Sequence, residues 1–279
     1  RGHNVELFEK SGRVGGKVIP GSVPRIKFDI GNYLDYLGHS LEAAERAYDL
    51  KVHFNTTADN ETLKSKGFDA IVYAIGTKSG TPKLKGLERI KHVEATDLLA
   101  EPKLLGDAKK IVVVGGGVVG CETAYWLAYE QGRKVKVVEM LPYFMKGACT
   151  ANRGHIIHYL QEKGVELFNC ATVQEFDDKH AIIEKNTHKN VPNPYNTWQP
   201  ILPENIENPL APKLGSVPKR LELEADLVVL AMGGKPDDAA YLEGQALRVA
   251  PELYNIGDSF AAGRVLEATR AAYALACRI

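Results

Sequence analysis

The sequence predicts an α/β fold made of two similar units, each a parallel sheet flanked by helices. Three observations carry that prediction. "KKIVVVGGGVVGCETAYWLAYEQGRKVKVVEM" reads in order as strand, glycine turn, helix, strand and terminal acid. "RGHNVELFEK" lines up with "QGRKVKVVEM", as helix end, glycine, strand and glutamate. "GFDAIVYAIGTKSGTP" and "EADLVVLAMGGKPDD" echo one another, each an acidic lead, a buried strand, a small residue and a glycine turn. Repeats of this kind point to one supersecondary plan used twice.

Asn4 to Phe8 reads as a short buried strand with Glu9 at its carboxyl end. In a dinucleotide-binding βαβ unit, an acid at that place accepts hydrogen bonds from a ribose. Such a unit also needs an earlier strand, a Gly-x-Gly-x-x-Gly turn and a helix, and none stands before Arg1 in this sequence. The expectation is a chain that begins inside a domain, without that domain's first strand and glycine loop.

The central unit is complete. Ile111 to Val114 is a β-branched run suited to a strand buried on both faces of a parallel sheet. Gly115, Gly117 and Gly120 follow at Gly-x-Gly-x-x-Gly spacing, and Cys121 to Glu130 carries helical periodicity that Gly132 ends. Val135 to Val138 makes the second strand, and Glu139 lies 19 residues beyond Gly120, close to the spacing of a ribose ligand. Gly115 permits the tight turn, Gly117 lets backbone approach a pyrophosphate, and Gly120 lets helix and strand pack closely. The N–H groups at the helix start, at Val118 and Val119, face the phosphates with the positive end of the helix dipole. A carboxylate at Glu139 favours a free ribose 2′-OH, and "MLPYF" after it holds no arginine for a 2′-phosphate. NAD is therefore expected over NADP, with Lys134, Lys136 and Lys146 nearby.

Gly76, Gly233 and Gly234 either let the chain pass close to a cofactor or serve as plain strand-to-loop turns. The end of the chain reads as a short strand through Ile256, then Gly257-Asp258, then an alanine-rich helix from about Val265. Asp258 suits a sugar or ribityl hydroxyl, and suits a turn or helix cap equally. The segment from 184 to 220, rich in proline and asparagine, reads as a long surface excursion between two strands. Within it, Tyr195 and Trp198 are expected to pack onto their own domain, with a partner surface as the alternative. His155 and His158 sit three apart on a helix with no ligand to complete a metal site. His39 reads as a helix-surface residue. No metal site is expected in this chain.

Lys plus Arg balances Asp plus Glu at 35 each, which gives no support to nucleic-acid binding. No apolar run approaches the roughly 18 residues of a membrane span, so no membrane partner is expected. Cys121, Cys149, Cys170 and Cys277 are scattered with no Cys-x-x-Cys pair, which excludes a local dithiol centre and suits a cytoplasmic protein with reduced thiols.

Taken together, "RGHNVELFEKSGRVGGK", "FDAIVYAIGTKSGTP", "VVVGGGVVGCETAYWLA" and "LYNIGDSFAAGRVLEA" resemble the two-dinucleotide-domain flavoprotein reductases. More narrowly, they are similar to the C-terminal region of the NADH:flavin oxidoreductases that begin with an old-yellow-enzyme-like barrel. That group holds 2-enoate reductase, bacterial 2,4-dienoyl-CoA reductase and trimethylamine dehydrogenase. The resemblance implies two Rossmann-like, glutathione-reductase-like domains: an FAD domain at 1–82 and 235–279, incomplete at its start, and an inserted NAD domain at 83–234. It places Glu9 and Lys10 at the adenosine ribose of FAD, and Gly15, Gly16 and Lys17 near the pyrophosphate and flavin. Ala74, Ile75 and Gly76 fall on the adenine side, and Gly257 and Asp258 at the ribityl–phosphate portion. In the inserted domain it places Gly115 to Gly120 on the NADH pyrophosphate, Glu122 near the nicotinamide amide and Glu139 on the adenosine ribose. The implied reaction is hydride transfer from NADH to N5 of FAD, with no catalytic side chain. Electrons would pass on through an iron–sulfur cluster to FMN in a barrel domain outside this sequence, where an enoate is reduced. The rival reading is a non-catalytic module that holds ADP. A free-standing disulfide reductase is disfavoured by the absence of paired cysteines.

Overall fold

Short β-branched runs, punctuated by glycines and acids, set the strands of this chain. In the computed structural model, residues 2–197 and 213–279 are described. The first strands are β1 (Val5–Phe8), β2 (Leu50–His53), β3 (Ala70–Tyr73) and β4 (Thr77–Ser79), with helices α1 (Val18–Gly21), α2 (Phe28–Ala47) and α3 (Asn60–Lys66) among them. The middle of the chain holds β5 (His92–Glu94), β6 (Lys110–Val114), β7 (Lys134–Val138) and β8 (Glu166–Phe168), with α4 (Ala95–Ala100), α5 (Val118–Tyr125) and α6 (Thr150–Glu162). Then come β9 (Ala171–Phe176), β10 (His180–Asn186), β11 (Pro218–Glu224) and β12 (Leu227–Leu230). The last elements are β13 (Gly234–Pro236), α7 (Ala239–Leu247), β14 (Glu252–Asn255) and α8 (Val265–Ala276). They form two units: Arg1–Ser22 with Lys27–Gly80 and Gly234–Ile279, and Val23–Ile26 with Thr81–Gly233.

The second of these units is a three-layer sandwich. Its parallel sheet runs β5-β12-β6-β7-β8. Odd-numbered residues of the inner strands (Ile111, Val113, Val135, Val137, Leu227, Val229) share a core with Leu98, Leu127, Ile157 and Leu160 of the helical layer. Even-numbered neighbours (Val112, Val114, Val138, Val228, Leu230) share another with Phe176, Ala181, Ile183 and Leu223 of the antiparallel sheet β11-β10-β9. The period-2 alternation of a strand thus serves two apolar layers at once, which is why these strands read as unbroken valine runs.

The first unit is sparser. It holds two parallel pairs, β1-β2 and β14-β3, and the antiparallel pair β13-β4. Among the described residues no strand joins the two parallel pairs. The fully buried apolar residues are Leu63, Ile71, Tyr73 and Val249, with Phe8, Phe68, Tyr241 and Leu253 packed partly buried around them. Buried Asn60 knits this core: it accepts from the Tyr73 hydroxyl at 2.6 Å and donates to Ala240 O and Glu243 Oε2 at 2.8 Å each. Neither α2 nor α8 has a buried residue.

Four sequence expectations are corrected. The strand expected at 4–8 runs from Val5 to Phe8 and is not buried, with Val5 47% exposed. β3 alternates, with Val72 exposed and Tyr73 buried. Both strands are covered on fewer sides than the sequence pattern presumed. The helix expected from Cys121 begins at Val118, directly after the extended Gly117, so that Gly120 falls inside its first turn; its last turn, Trp126–Glu130, widens to π geometry, Gln131 N–H bonding to Trp126 O. The excursion is shorter than 184–220, since β10 runs through Asn186 and β11 starts at Pro218.

Candidate functional site

The complete glycine turn forms where β6 leaves the sheet. At Gly115, φ is +109°, and a Cβ would stand 2.3 Å from Ala231 O at the end of β12. A Cβ on Gly120 would fall 1.9 Å from Gly115 O. Only glycine lets helix and turn close this tightly. Gly117 is different: a Cβ there would meet nothing within 4 Å, so its face is bare. Directly after it, α5 starts without a side-chain cap, and its first N–H groups have no intrahelical acceptor. Those N–H groups and the helix dipole make an anion-binding end.

Glu139, at the end of β7, is buried at 9% exposure. Its Oε2 accepts from Gly116 N–H at 2.6 Å and its Oε1 from Leu141 N–H at 2.7 Å. The acid therefore sits under the turn and fixes it, and each oxygen keeps a further lone pair for a sugar hydroxyl. Glu122 is half-buried in the first turns of α5. Lys136 is drawn to Glu166 on β8 at 3.5 Å, and Lys134 and Lys146 are exposed. A bare glycine, an uncapped helix start and a buried acid together fit the pyrophosphate and ribose of a dinucleotide.

Gly116 had no assigned job in the sequence. Here it too is crowded: a Cβ would lie 2.3 Å from the Phe144 ring and 2.8 Å from Glu139 Cβ. Its carbonyl accepts from Met145 N–H at 2.7 Å and from Cys121 Sγ at 3.4 Å. The middle glycine of "GGG" was the available signal.

In the other unit, Glu9 is half-buried, and its Oε1 accepts from Ser11 N–H at 2.8 Å and Ser11 Oγ at 2.7 Å. Lys10 is exposed. Gly15 and Gly16 both have positive φ, and the next residue, Lys17, donates through Nζ to Thr77 Oγ1. Lys17 is thereby brought beside Gly76, whose face is open like that of Gly16. Ala74, Ile75 and Gly76 leave β3 at the same end of the parallel pair as Gly257 and Asp258 leave β14, with Ile256 N–H bonded to Tyr73 O at 3.0 Å. Asp258 Oδ1 accepts from Gly263 N–H at 3.0 Å and closes the turn before α8. Gly233, which belongs to the second unit, has an open face at φ +82°. The first unit sets its acids and open glycines beyond the carboxyl ends of β1, β3 and β14. Among its described residues no strand, glycine turn and helix follow one another in the manner of β6 and α5.

Thiol chemistry is not built in. Cys121 is fully buried and burial pushes its thiol well up; burial also raises Cys170. Cys149 and Cys277 are exposed and free. His155 and His158 lie on the exposed side of α6, and His39 is exposed on α2. Among the described residues no three His, Cys, Asp or Glu side chains gather as a metal site, and no helix is long and apolar enough to cross a membrane. Tyr195 packs onto its own unit, its hydroxyl donating to Val165 O at 2.7 Å; Trp198 lies outside the described residues.

Residues 31–255 match the family described as pyridine nucleotide-disulphide oxidoreductase. The chain is 30% identical over 196 residues to a cinnamate reductase of Clostridium sporogenes, covering 69% of this chain and 28% of that protein. It is 32% identical over 201 residues to an NADH oxidase of Thermoanaerobacter brockii, covering 66% and 30%. A solved 2-naphthoyl-CoA reductase superposes with a TM-score of 0.80 at 26% identity, covering 100% of this chain and 36% of that one. The chain thus spans about a third of the length of these relatives. The matches bear out the resemblance to the enoate-reductase group and the Rossmann-like fold. The chain belongs to the pyridine nucleotide-disulphide oxidoreductase family, whose cofactors are FAD and NAD(H).

Proposed function

We propose that the chain is the NADH-accepting reductase module of a larger flavoprotein, an NADH:flavin oxidoreductase that delivers electrons to a domain reducing an enoate-type substrate. The names of its relatives, cinnamate reductase, NADH oxidase and 2-naphthoyl-CoA reductase, support that direction. So does its coverage of only 28–36% of them, which leaves length for a barrel with FMN and an iron–sulfur cluster. The observation that carries the proposal is bare Gly117 at the uncapped start of α5, above buried Glu139.

Residues 83–234 form the NAD domain in this reading. Gly115, Gly117, Val118, Val119 and Gly120 hold the pyrophosphate, Glu139 accepts from the adenosine ribose, and Glu122 stands near the nicotinamide amide. Residues 1–82 and 235–279 face FAD. There Glu9 and Lys10 lie toward the ribose, with Gly15, Gly16 and Lys17 toward the pyrophosphate. Ala74, Ile75, Gly76, Gly257 and Asp258 lie along the carboxyl ends of β3 and β14; in the NAD domain, Gly233 lets backbone pass close to cofactor. Bound NADH supplies a hydride, and the protein supplies binding and alignment. No side-chain acid or base is assigned, because hydride transfer needs none. Four free cysteines suit a reducing, cytoplasmic setting.

The second reading is a non-catalytic structural module that holds ADP. An absorbance spectrum of the purified chain with added FAD, followed by anaerobic NADH titration, separates the two. Bound flavin that bleaches with NADH supports the reductase module. No flavin, with ADP found by mass spectrometry, supports the rival. A chain that binds no NADH overturns the proposal.

A further inference from the structure

Arg153, on α6, is the largest fully buried side chain of the described residues, at 1% exposure. A buried charge is costly unless its donors are all satisfied. Here they go to main-chain carbonyls and not to a carboxylate. Nε donates to Phe144 O at 3.0 Å, Nη1 to Thr197 O at 2.6 Å and Nη2 to Asn196 O at 2.7 Å. The planar guanidinium suits this role, because its fixed fork addresses several acceptors at once.

Phe144 and Met145 form a strap against the glycine turn. Both are buried, at 0% and 1% exposure, and Met145 is held at φ +53°, a strained conformation for a residue with a side chain. The strap grips Gly116 at two points: the Met145 N–H bonds to its carbonyl, and the Phe144 ring fills the space where a Cβ would be. On its other side Arg153 grips the arm at 196–197, which Tyr195 anchors independently through its hydroxyl.

We propose that Arg153 is a positioning residue for the dinucleotide: by holding Phe144 O against the docked arm, it fixes the strap and so the placement of Gly116 between the two cradle glycines. The inference rests on reading that turn as the pyrophosphate cradle.

The test uses the full chain with R153K, R153M and, as control, Y195F, which loosens the arm without touching the strap. NADH affinity is read by fluorescence titration, adenosine affinity by calorimetry, and backbone exchange by hydrogen–deuterium exchange over 111–121. R153M is expected to raise the NADH Kd about tenfold, the loss of one charge-assisted hydrogen bond's worth of preorganisation, with R153K between it and the parent. Adenosine, which has no pyrophosphate, binds all variants alike, and exchange quickens at 116–118 in the arginine variants alone. If R153M does not fold, R153K must still show both the weaker NADH binding and the faster exchange. NADH affinity within about twofold of the parent in folded R153K and R153M overturns the proposal. So does an equal loss in Y195F, or an equal loss of adenosine binding. A parent chain that binds no NADH overturns the cradle reading instead, and unchanged exchange at 116–118 in R153K then overturns the role of Arg153.

Discussion

Glu139 and Glu9 each stand at the carboxyl end of a parallel strand in the two units, yet their surroundings differ. Glu139 is buried beneath a glycine turn and bonded to the N–H of Gly116 and Leu141. Glu9 is half-buried and bonded to its own neighbour Ser11. Around Glu139 the sheet has five strands with an apolar layer on each face. Around Glu9 there are two strands and long helices with nothing buried. A parallel strand owes its stability to neighbours on both edges and both faces, and the same local sequence yields a rigid station or an open one according to that company.

The sharpest way to break the comparison is at the glycines. Gly120→Ala sets a Cβ against Gly115 O and is expected to cost about 3 kcal/mol or more, with loss of NADH binding. Gly76→Ala, at φ +84° with open space around it, is expected to cost about 1–2 kcal/mol through backbone strain alone. Chemical denaturation of both variants reads the difference. Next come the side chains: Leu227→Ala, at 0% exposure, should cost about 3 kcal/mol, and Leu242→Ala, at 53%, less than about 0.5 kcal/mol. Equal losses would mean the first unit is as tightly packed as the second. Glu139→Gln should then destabilise by about 1–2 kcal/mol, since it weakens charge-assisted bonds from the buried Gly116 N–H and the part-buried Leu141 N–H. Glu9→Gln should change stability much less. The smallest effect concerns pH. Burial raises the Tyr73 pKa above its ordinary 10.0, so the neutral phenol is favoured when folded. Its contribution is full below the unfolded value and is lost as pH rises through the folded one. The first unit should therefore lose stability from about pH 10 upward, and Tyr73→Phe should flatten that slope in urea unfolding followed at alkaline pH.

What the sequence revealed follows the same division. The central fingerprint was legible because its glycines, its valine run and its acid do their work within some 30 residues, a range that motif spacing covers. Burial of β1 and β3 was overread, since a short run such as VELF or AIVY reads alike with one covered face or two. The strap and Arg153 were invisible: the partners are backbone carbonyls of residues 144, 196 and 197, and a carbonyl leaves no trace in residue type. The pairing of β4 with β13 joins Thr77 to Pro236 across the whole inserted segment, where no local pattern reaches. Packing of the excursion onto its own unit was expected for Tyr195 and Trp198; Tyr195 does so, and Trp198 lies outside the described residues.

The strand order also has a history in time. β6 finds its partner β7 within one short helix, but its other edge pairs with β12, Leu227 lying opposite Ile111 from 116 positions downstream. During synthesis the strand that feeds the glycine turn therefore waits, one valine edge bare, until the whole antiparallel layer has been made. Such late, non-local pairing slows folding and leaves an open edge to wrong partners. The glycine turn is thus assembled on a strand that completes its pairing late, and the yield of folded protein should depend on how well the growing chain is chaperoned through that interval.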